Sequence, residues 1–290
     1  MRIFIKKTLH IARRVRQWLR IRIFVLRGKR PWSTGYGDYK WSVISKTIAD
    51  KNIINLFREQ KPLPERFGEK LDERIVEYPW MLGSLSPSAK SILDVGSTLN
   101  FEAVIDHPLM QDKALTFTNL YPEHNAFVQK GVSYVLADAR NLPFKDSFFD
   151  TVTCISTLEH IGMNNEKIYT KDPKHNESKH NDYLAAVSEM LRVLRPGGTL
   201  LITVPFGRYE DHGFFQQFDE HMITLIATHT GKTVDTQYFY YNEGWHTIND
   251  PAALRNASYF DVHAGNDIRD LAAAEAVACM KILKPSYSPA

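Results

Sequence analysis

Leu142-Pro-Phe-Lys-Asp-Ser-Phe-Phe-Asp-Thr-Val-Thr-Cys-Ile-Ser-Thr-Leu-Glu-His-Ile-Gly162 is the stretch from which the fold of this chain can be read. Lys145, Asp146 and Ser147 form a polar turn, and Asp150 leads into the β-prone run 151–155. That run carries apolar residues on both sides of the pleat. A strand buried on both faces belongs to a parallel sheet covered by helices. Ligands of such open sheets bind beyond the carboxyl ends of the strands. Ser156, Thr157, Glu159 and His160 stand at that end, so polar chemistry arrives where a ligand would sit.

Working outward, residues 91–96 (Ser-Ile-Leu-Asp-Val-Gly) predict an earlier strand, 97–100 a turn, and 101–105 the start of a helix. A strand, a tight turn with a carboxylate at its start and then a helix is a common way to hold a nucleoside-bearing cofactor. Residues 115–118 and 132–136 predict two more strands. A helix over 181–194 ends at Pro196-Gly197-Gly198, and 199–204 is the next strand. Beyond Gly207 come a helix over 220–230, a strand over 237–241, a loop-rich stretch over 242–267 with Trp245, His246 and His263, and a last strand over 276–283. Short apolar strands alternating with helices indicate a doubly wound α/β sheet.

The 290 residues are 43% apolar and 24% charged, which describes a soluble globular protein. Cys154 and Cys279 lie far apart in apolar runs, which reads as a reduced, intracellular chain without a disulfide framework. No zinc-type Cys/His spacing occurs. The net charge of +3 is unevenly spread: residues 1–30 hold eleven basic side chains and no acidic one, so the rest of the chain carries −8. In that arm Phe4, Ile5, Leu9, Ile11, Ala12, Val15, Trp18, Leu19, Ile23 and Leu26 recur at helical spacing, with the basic residues largely opposite. Its longest apolar run, Ile23 to Leu26, falls far short of the roughly 20 residues that span a bilayer. Neither is there a signal-peptide core. A basic amphipathic helix can lie on an anionic membrane surface, or pack its stripe on the protein body or a second subunit. A nucleic-acid partner is not expected, because no basic and aromatic constellation elsewhere supports one.

Residues 31–88 read as a linker followed by a helical cap or lid, with helices over 42–57 and over 71–80, the latter ended by Pro79. Arg74, Glu77 and Tyr78 read as packing or solvated residues, with a ligand-facing role as the alternative. The organisation expected is therefore a basic arm (1–30), a cap (31–88) and an α/β domain (89–290) with a substrate-side insertion at about 207–268.

Taken in order, these blocks over 91–206 resemble the class I S-adenosylmethionine-dependent methyltransferases. The resemblance is carried by Leu-Pro-Phe…Phe-Asp-x-Val-x-Cys-x-Ser-Thr-Leu-Glu-His and by Arg-Val-Leu-Arg-Pro-Gly-Gly. It implies a doubly wound, seven-stranded, mostly parallel Rossmann-like sheet with an N-terminal helical extension, and S-adenosyl-L-methionine as cofactor. It further implies that Asp94, Gly96, Ser97 and Asn100 shape the turn beside the cofactor's methionine and sugar. Asn119 would meet the ribose hydroxyls with Leu120 next to it, Asp138 and Ala139 the adenine, and Ser156 and Thr157 the sulfonium. Two positions depart from the family. Its Gly-x-Gly-x-Gly turn is here Gly96-Ser97-Thr98-Leu99-Asn100, where Asn100 can stand in for the last glycine but the β-branched Thr98 resists positive φ. Asn119 lacks the second carboxylate oxygen that grips a diol. Either a modified turn holds the cofactor or binding has been lost. The Gly-Ser-x-Leu-Asn turn itself resembles methyltransferase-like proteins of bacterial surface polysaccharide synthesis.

The resemblance therefore implies methyl transfer, in which the acceptor atom must lie in line with the sulfur–methyl bond. A hydroxyl acceptor also needs help to lose its proton. His160 is the first catalytic candidate; His212 and His221, with Asp219, form a second group after the fifth strand. Glu159 with Asp211 offers a cation ligand pair, but their spacing requires no metal and none is assigned. The polar run 164–182, with His175 and His180, reads as a solvated loop or lid. The function expected is O-methylation of a saccharide, glycolipid or related small acceptor on the cytoplasmic face of a bacterial membrane. A non-catalytic scaffold and a secondary-metabolite methyltransferase stay open as alternatives.

Overall fold

The structure is a computed structural model that describes residues 15–166, 172–260 and 273–286. The part of the basic arm before residue 15, and His263, lie outside the described residues.

Helix α1 occupies 15–26. It is followed by α2 (Tyr36–Ala49), α3 (Lys51–Arg58) and α4 (Arg74–Ser84). The single helix expected over 42–57 is two, because Asp50 adopts an extended backbone and its carboxylate caps the Asn52 N–H. The aromatic stretch expected to be a loop already enters α2 at Tyr36. Pro79 does not end α4 but lies inside it. Every residue from Ile75 to Gly83 is buried, so packing outweighs the backbone bond that proline forfeits.

The sheet holds β1 (Ser91–Val95), β2 (Ala114–Asn119), β3 (Ser133–Leu136), β4 (Phe149–Ile155) and β5 (Leu194–Pro205). A short α5 (Glu102–Ile105) follows the first turn, and α6 (Tyr183–Val193) precedes β5. Further on come a two-residue ribbon, β6 (Glu210–Asp211) with β7 (Gln216–Gln217), then α7 (Glu220–Thr230), β8 (Val234–Tyr241), β9 (Trp245–Ile248) and β10 (Ala276–Leu283). The order is β3-β2-β1-β4-β5-β10-β8-β9, with β10 antiparallel to both neighbours. The sheet therefore has eight strands where seven are expected. The extra one, β9, hairpins onto β8 within the stretch read as loop. Trp245 fixes it there: its indole N–H donates to the Leu71 carbonyl at 3.0 Å, and its backbone N–H donates to Phe67. That tie is made to the cap, far away in sequence, so local pattern could not show it.

Both faces of the sheet are covered. Ile92, Phe117, Leu201 and Cys279 pack under α2–α4, whereas Leu93, Val152, Cys154 and Ile202 pack under α6 and α7. Each such aliphatic side chain stabilises the fold by about 1.5–3 kcal/mol through burial. The two cysteines are buried, unpaired and on opposite faces. Parallel strands β1, β2, β3, β4 and β5 all end on one edge of the sheet.

Candidate functional site

At that edge a narrow cleft of about 50 Å³ opens between the ends of β1, β2 and β4. Of the residues expected to meet a cofactor, Gly96, Asn119, Leu120, Asp138, Ala139 and Thr157 line it. Asp94, Ser97, Asn100 and Ser156 do not line it. Of the catalytic candidates only His160 does.

The turn after β1 is built differently from the expectation. Gly96 and Ser97 take the positive φ values, 98° and 54°, while neither Thr98 nor Asn100 does. Thr98 is accommodated without strain, and its hydroxyl donates to the Ile155 carbonyl at 2.8 Å. Asp94 is wholly buried and braces the turn. It accepts from the Leu99 N–H at 2.8 Å and from Thr153 Oγ1 at 2.7 Å. Burial pushes its carboxyl up to about 7, outweighing those two bonds.

Asn119 does not work alone. Its amide donates to Glu123 Oε1 at 3.0 Å, and the Asn100 amide donates to Glu123 Oε2 at 3.2 Å. A carboxylate absent from the end of β2 is thus supplied four residues later and held by both asparagines. Asp138 is likewise engaged. Arg140 holds it through Nε and Nη2, and also reaches Glu177 and Asp182. Burial alone would raise the Asp138 carboxyl, but these bonds prevail and hold it below its ordinary value. The run read as a solvated loop or lid borders the cleft, since His175 and Glu177 line it and His175 bonds the Tyr121 hydroxyl. Sequence reasoning missed Glu123, Arg140 and Glu177; the only local signal was Arg140 lying two residues after Asp138.

His160 is half-buried, with Nδ1 at 2.9 Å from the Phe214 carbonyl. A carbonyl only accepts, so the proton sits on Nδ1 and Nε2 keeps its lone pair. Burial pushes the imidazole down to about 4, so it is neutral at physiological pH. His212 stacks on Phe215 (ring centroids 4.4 Å apart) with Nε2 3.3 Å from Glu210. His221 is exposed on the first turn of α7, outside the cleft. Asp219 caps that helix through the Met222 N–H. Asp211 accepts from His180 at 2.9 Å, and among the described residues no three His, Cys, Asp or Glu side chains are grouped to hold a metal ion.

Arg74 and Glu77 of α4 do not line the cleft but pack behind the end of β4. Glu77 is fully buried. One carboxylate oxygen accepts from Ser156 Oγ and Thr203 Oγ1, each at 2.6 Å, and the other pairs with Arg74. Ser156 itself is held at a positive φ of 38°. Glu73 and Glu159 lie in the field of the same guanidinium.

The family profile described as a methyltransferase domain matches residues 111–202, which run from just before β2 into β5. The matched residues are similar to a methyltransferase domain. That match begins after the Gly96–Asn100 turn, so the domain is recognised without its most divergent part. One relative of this methyltransferase domain is the ubiquinone/menaquinone biosynthesis C-methyltransferase UbiE of Stutzerimonas stutzeri, 32% identical over 99 residues, which are 34% of this chain and 31% of that protein. Another is the tRNA (carboxymethyluridine(34)-5-O)-methyltransferase of Arabidopsis thaliana, 33% identical over 82 residues, 28% of this chain and 16% of that protein. The chain thus spans about a third or less of these curated relatives. Among solved structures, YcgJ of Bacillus subtilis superposes with a TM-score of 0.49 at 14% identity, covering 73% of this chain and 99% of that one.

Proposed function

We propose that this protein is an S-adenosylmethionine-dependent methyltransferase that O-methylates a saccharide, glycolipid or related small acceptor. The carrying observation is a set of polar atoms at the cleft that await a ligand. Thr118 Oγ1 and Asn165 Oδ1 line it, both buried and both without a hydrogen-bond partner. Beside them Gly96 presents bare backbone. Buried polar atoms are rarely left unpaired, so these two can serve a ligand's polar groups. These residues fit the nucleoside and amino-acid parts of the cofactor, which when bound supplies an electrophilic methyl group. Asn119 with Glu123 holds the sugar hydroxyls, and Ala139 flanks the base. His160, neutral and with a free Nε2, stands ready to accept a proton beside Thr157. The cleft is narrow, at about 50 Å³, and the loop bearing His175 and Glu177 forms one of its borders.

Calorimetry of the purified protein with S-adenosylmethionine and S-adenosylhomocysteine tests the proposal. Absence of binding at millimolar ligand would favour the scaffold alternative. If binding is present, labelled-methyl transfer to sugar hydroxyls separates the saccharide reading from a carbon acceptor of the kind named for UbiE.

Peripheral contact with the inner face of a bacterial membrane is part of the same reading, and α1 supports it. Only Phe24 of α1 is buried, packed on Tyr36 and Tyr39, whereas Trp18 is 53% and Leu26 84% exposed. Arg16, Arg20, Arg22 and Arg27 accompany them. No helix among the described residues is long and apolar enough to cross a membrane. Exposed apolar and aromatic residues among arginines suit an anionic lipid surface. Co-sedimentation with phosphatidylglycerol vesicles should fall at least about tenfold on deleting residues 1–30; retained association would count against it.

A further inference from the structure

Two neighbouring side chains of α4 bond to the two walls of the cleft without lining it. One wall is the turn after β1, the other the mouth of β4. Toward the turn, the buried Tyr78 hydroxyl donates to the Thr98 carbonyl at 2.7 Å. Its ring lies 5.8 Å from that of Trp41, which stacks at 4.0 Å on Phe101 just beyond the turn. Toward β4, one oxygen of Glu77 accepts from Ser156 Oγ and from Thr203 Oγ1, each at 2.6 Å. Having donated its proton, the Thr203 hydroxyl accepts the Ser156 N–H at 3.0 Å, as does the Thr203 carbonyl at the same distance. Ser156 is thereby fixed at a φ of 38°, which a serine holds only where its surroundings dictate it. The next residue is Thr157, which lines the cleft. The two walls also meet directly. Thr98 Oγ1 donates to the Ile155 carbonyl at 2.8 Å and lies 3.4 Å from Thr157 Oγ1.

Resting on the methyltransferase reading, we propose that Glu77 and Tyr78 are positioning residues of the cofactor site, through which the cap fixes the separation of Gly96 from Thr157. Successive helix residues project about 100° apart, so one rigid helix reaches two strand ends with adjacent side chains. Neither wall can shift without leaving a buried polar group of α4 unpaired, and that is costly. The methyltransferase profile matches residues 111–202 and so leaves the cap out. On this reading the cap is nonetheless part of the cofactor site rather than a cover over it.

Tyr78→Phe and Thr203→Val each delete one hydroxyl and keep the side-chain shape. Glu77→Gln would orphan Arg74, so the Glu77 arm is tested through Thr203. The control is Trp245→Phe, which removes the cap's tie at Leu71 away from the cleft. Hydrogen exchange of the full-length protein without ligand reads the walls directly. The Leu99 and Asn100 amides should exchange at least about fivefold faster in Tyr78→Phe, and the Ser156 amide in Thr203→Val. Trp245→Phe should alter neither. Calorimetry of the folded proteins should show S-adenosylhomocysteine binding at least about fivefold weaker in Tyr78→Phe and Thr203→Val. Thr203→Ser, which returns the hydroxyl, should restore it. A purely structural role would lower the urea midpoint and leave the affinity of the folded protein unchanged. Unaltered exchange at those amides in either variant, equal acceleration in Trp245→Phe, affinity within about twofold of the wild type in either variant, or no rescue by Thr203→Ser would overturn the proposal. If the wild type itself fails to bind S-adenosylhomocysteine, the methyltransferase reading falls, and the exchange rates alone decide whether α4 holds the walls.

Discussion

A β-carbon placed on Gly96 would lie 2.1 Å from Oγ1 of Thr157. The turn after β1 and the mouth of β4 thus close on each other with no room for a side chain, and Gly96 has a φ of 98° besides. Gly96→Ala should lower stability by at least about 2 kcal/mol, from the strained φ and the collision together. Urea unfolding measures that loss. S-adenosylhomocysteine affinity should fall at least about tenfold in the same variant, and unchanged affinity would show that this contact is no part of the cofactor site.

Glu123 gives a prediction that runs against family intuition. Restoring an acid at the end of β2, by Asn119→Asp, sets a second carboxylate about 3 Å from Glu123 Oε1 in place of a donor. S-adenosylhomocysteine should then bind about tenfold more weakly, and Glu123→Gln should weaken it similarly. Tighter binding by Asn119→Asp would mean that Glu123 takes no part in holding the sugar.

Arg140 ties the cleft floor at Asp138 to the closing loop at Glu177 and to Asp182 at the start of α6. Replacing it by Met frees the loop and uncovers Asp138. Stopped-flow association of S-adenosylhomocysteine should become about three- to tenfold faster. An unchanged rate would place the entry gate elsewhere.

Asp94 controls a pH dependence whose sign follows from its burial. Its carboxyl is raised from 3.8 to about 7, so the folded state keeps a proton that the unfolded chain has lost. The stabilisation is complete below about pH 4 and fades as the pH rises to about 7, at up to about 1.4 kcal/mol per pH unit. Asp94→Asn should flatten the stability profile across that window. A slope unaltered in the variant would assign the dependence to Glu73 and Glu159, whose carboxyls burial also raises.

The residues whose structural roles were legible in the sequence are those whose neighbours decide them. The runs 91–96, 115–118, 132–136, 151–155 and 199–204 became β1 to β5 because uninterrupted apolar residues on both pleat faces can be buried only between two helical layers. Residues 237–241 and 276–283 likewise became β8 and β10. The order of these blocks also sufficed to recognise the methyltransferase domain. Less local features were read less well. β9 was taken for loop because Trp245 gains its reason to be a strand from Leu71 and Phe67. The end of α4 was misplaced at Pro79 because burial against the sheet outweighs local propensity.

For the site, the sequence by itself determined which residues arrive at the carboxyl edge: Gly96, Asn119, Asp138, Thr157 and His160 follow from strand ends alone. Which of them are free to meet a ligand was decided only by the tertiary structure. Asp138 is held by Arg140 and Asn119 holds Glu123, while the closing loop brings in His175 and Glu177. Glu77 joins Ser156 and Thr203 from helix α4, 79 and 126 positions away in the chain. Hydrogen bonding and burial fix a side chain's charge and direction, and both depend on partners that strand and helix periodicity cannot specify.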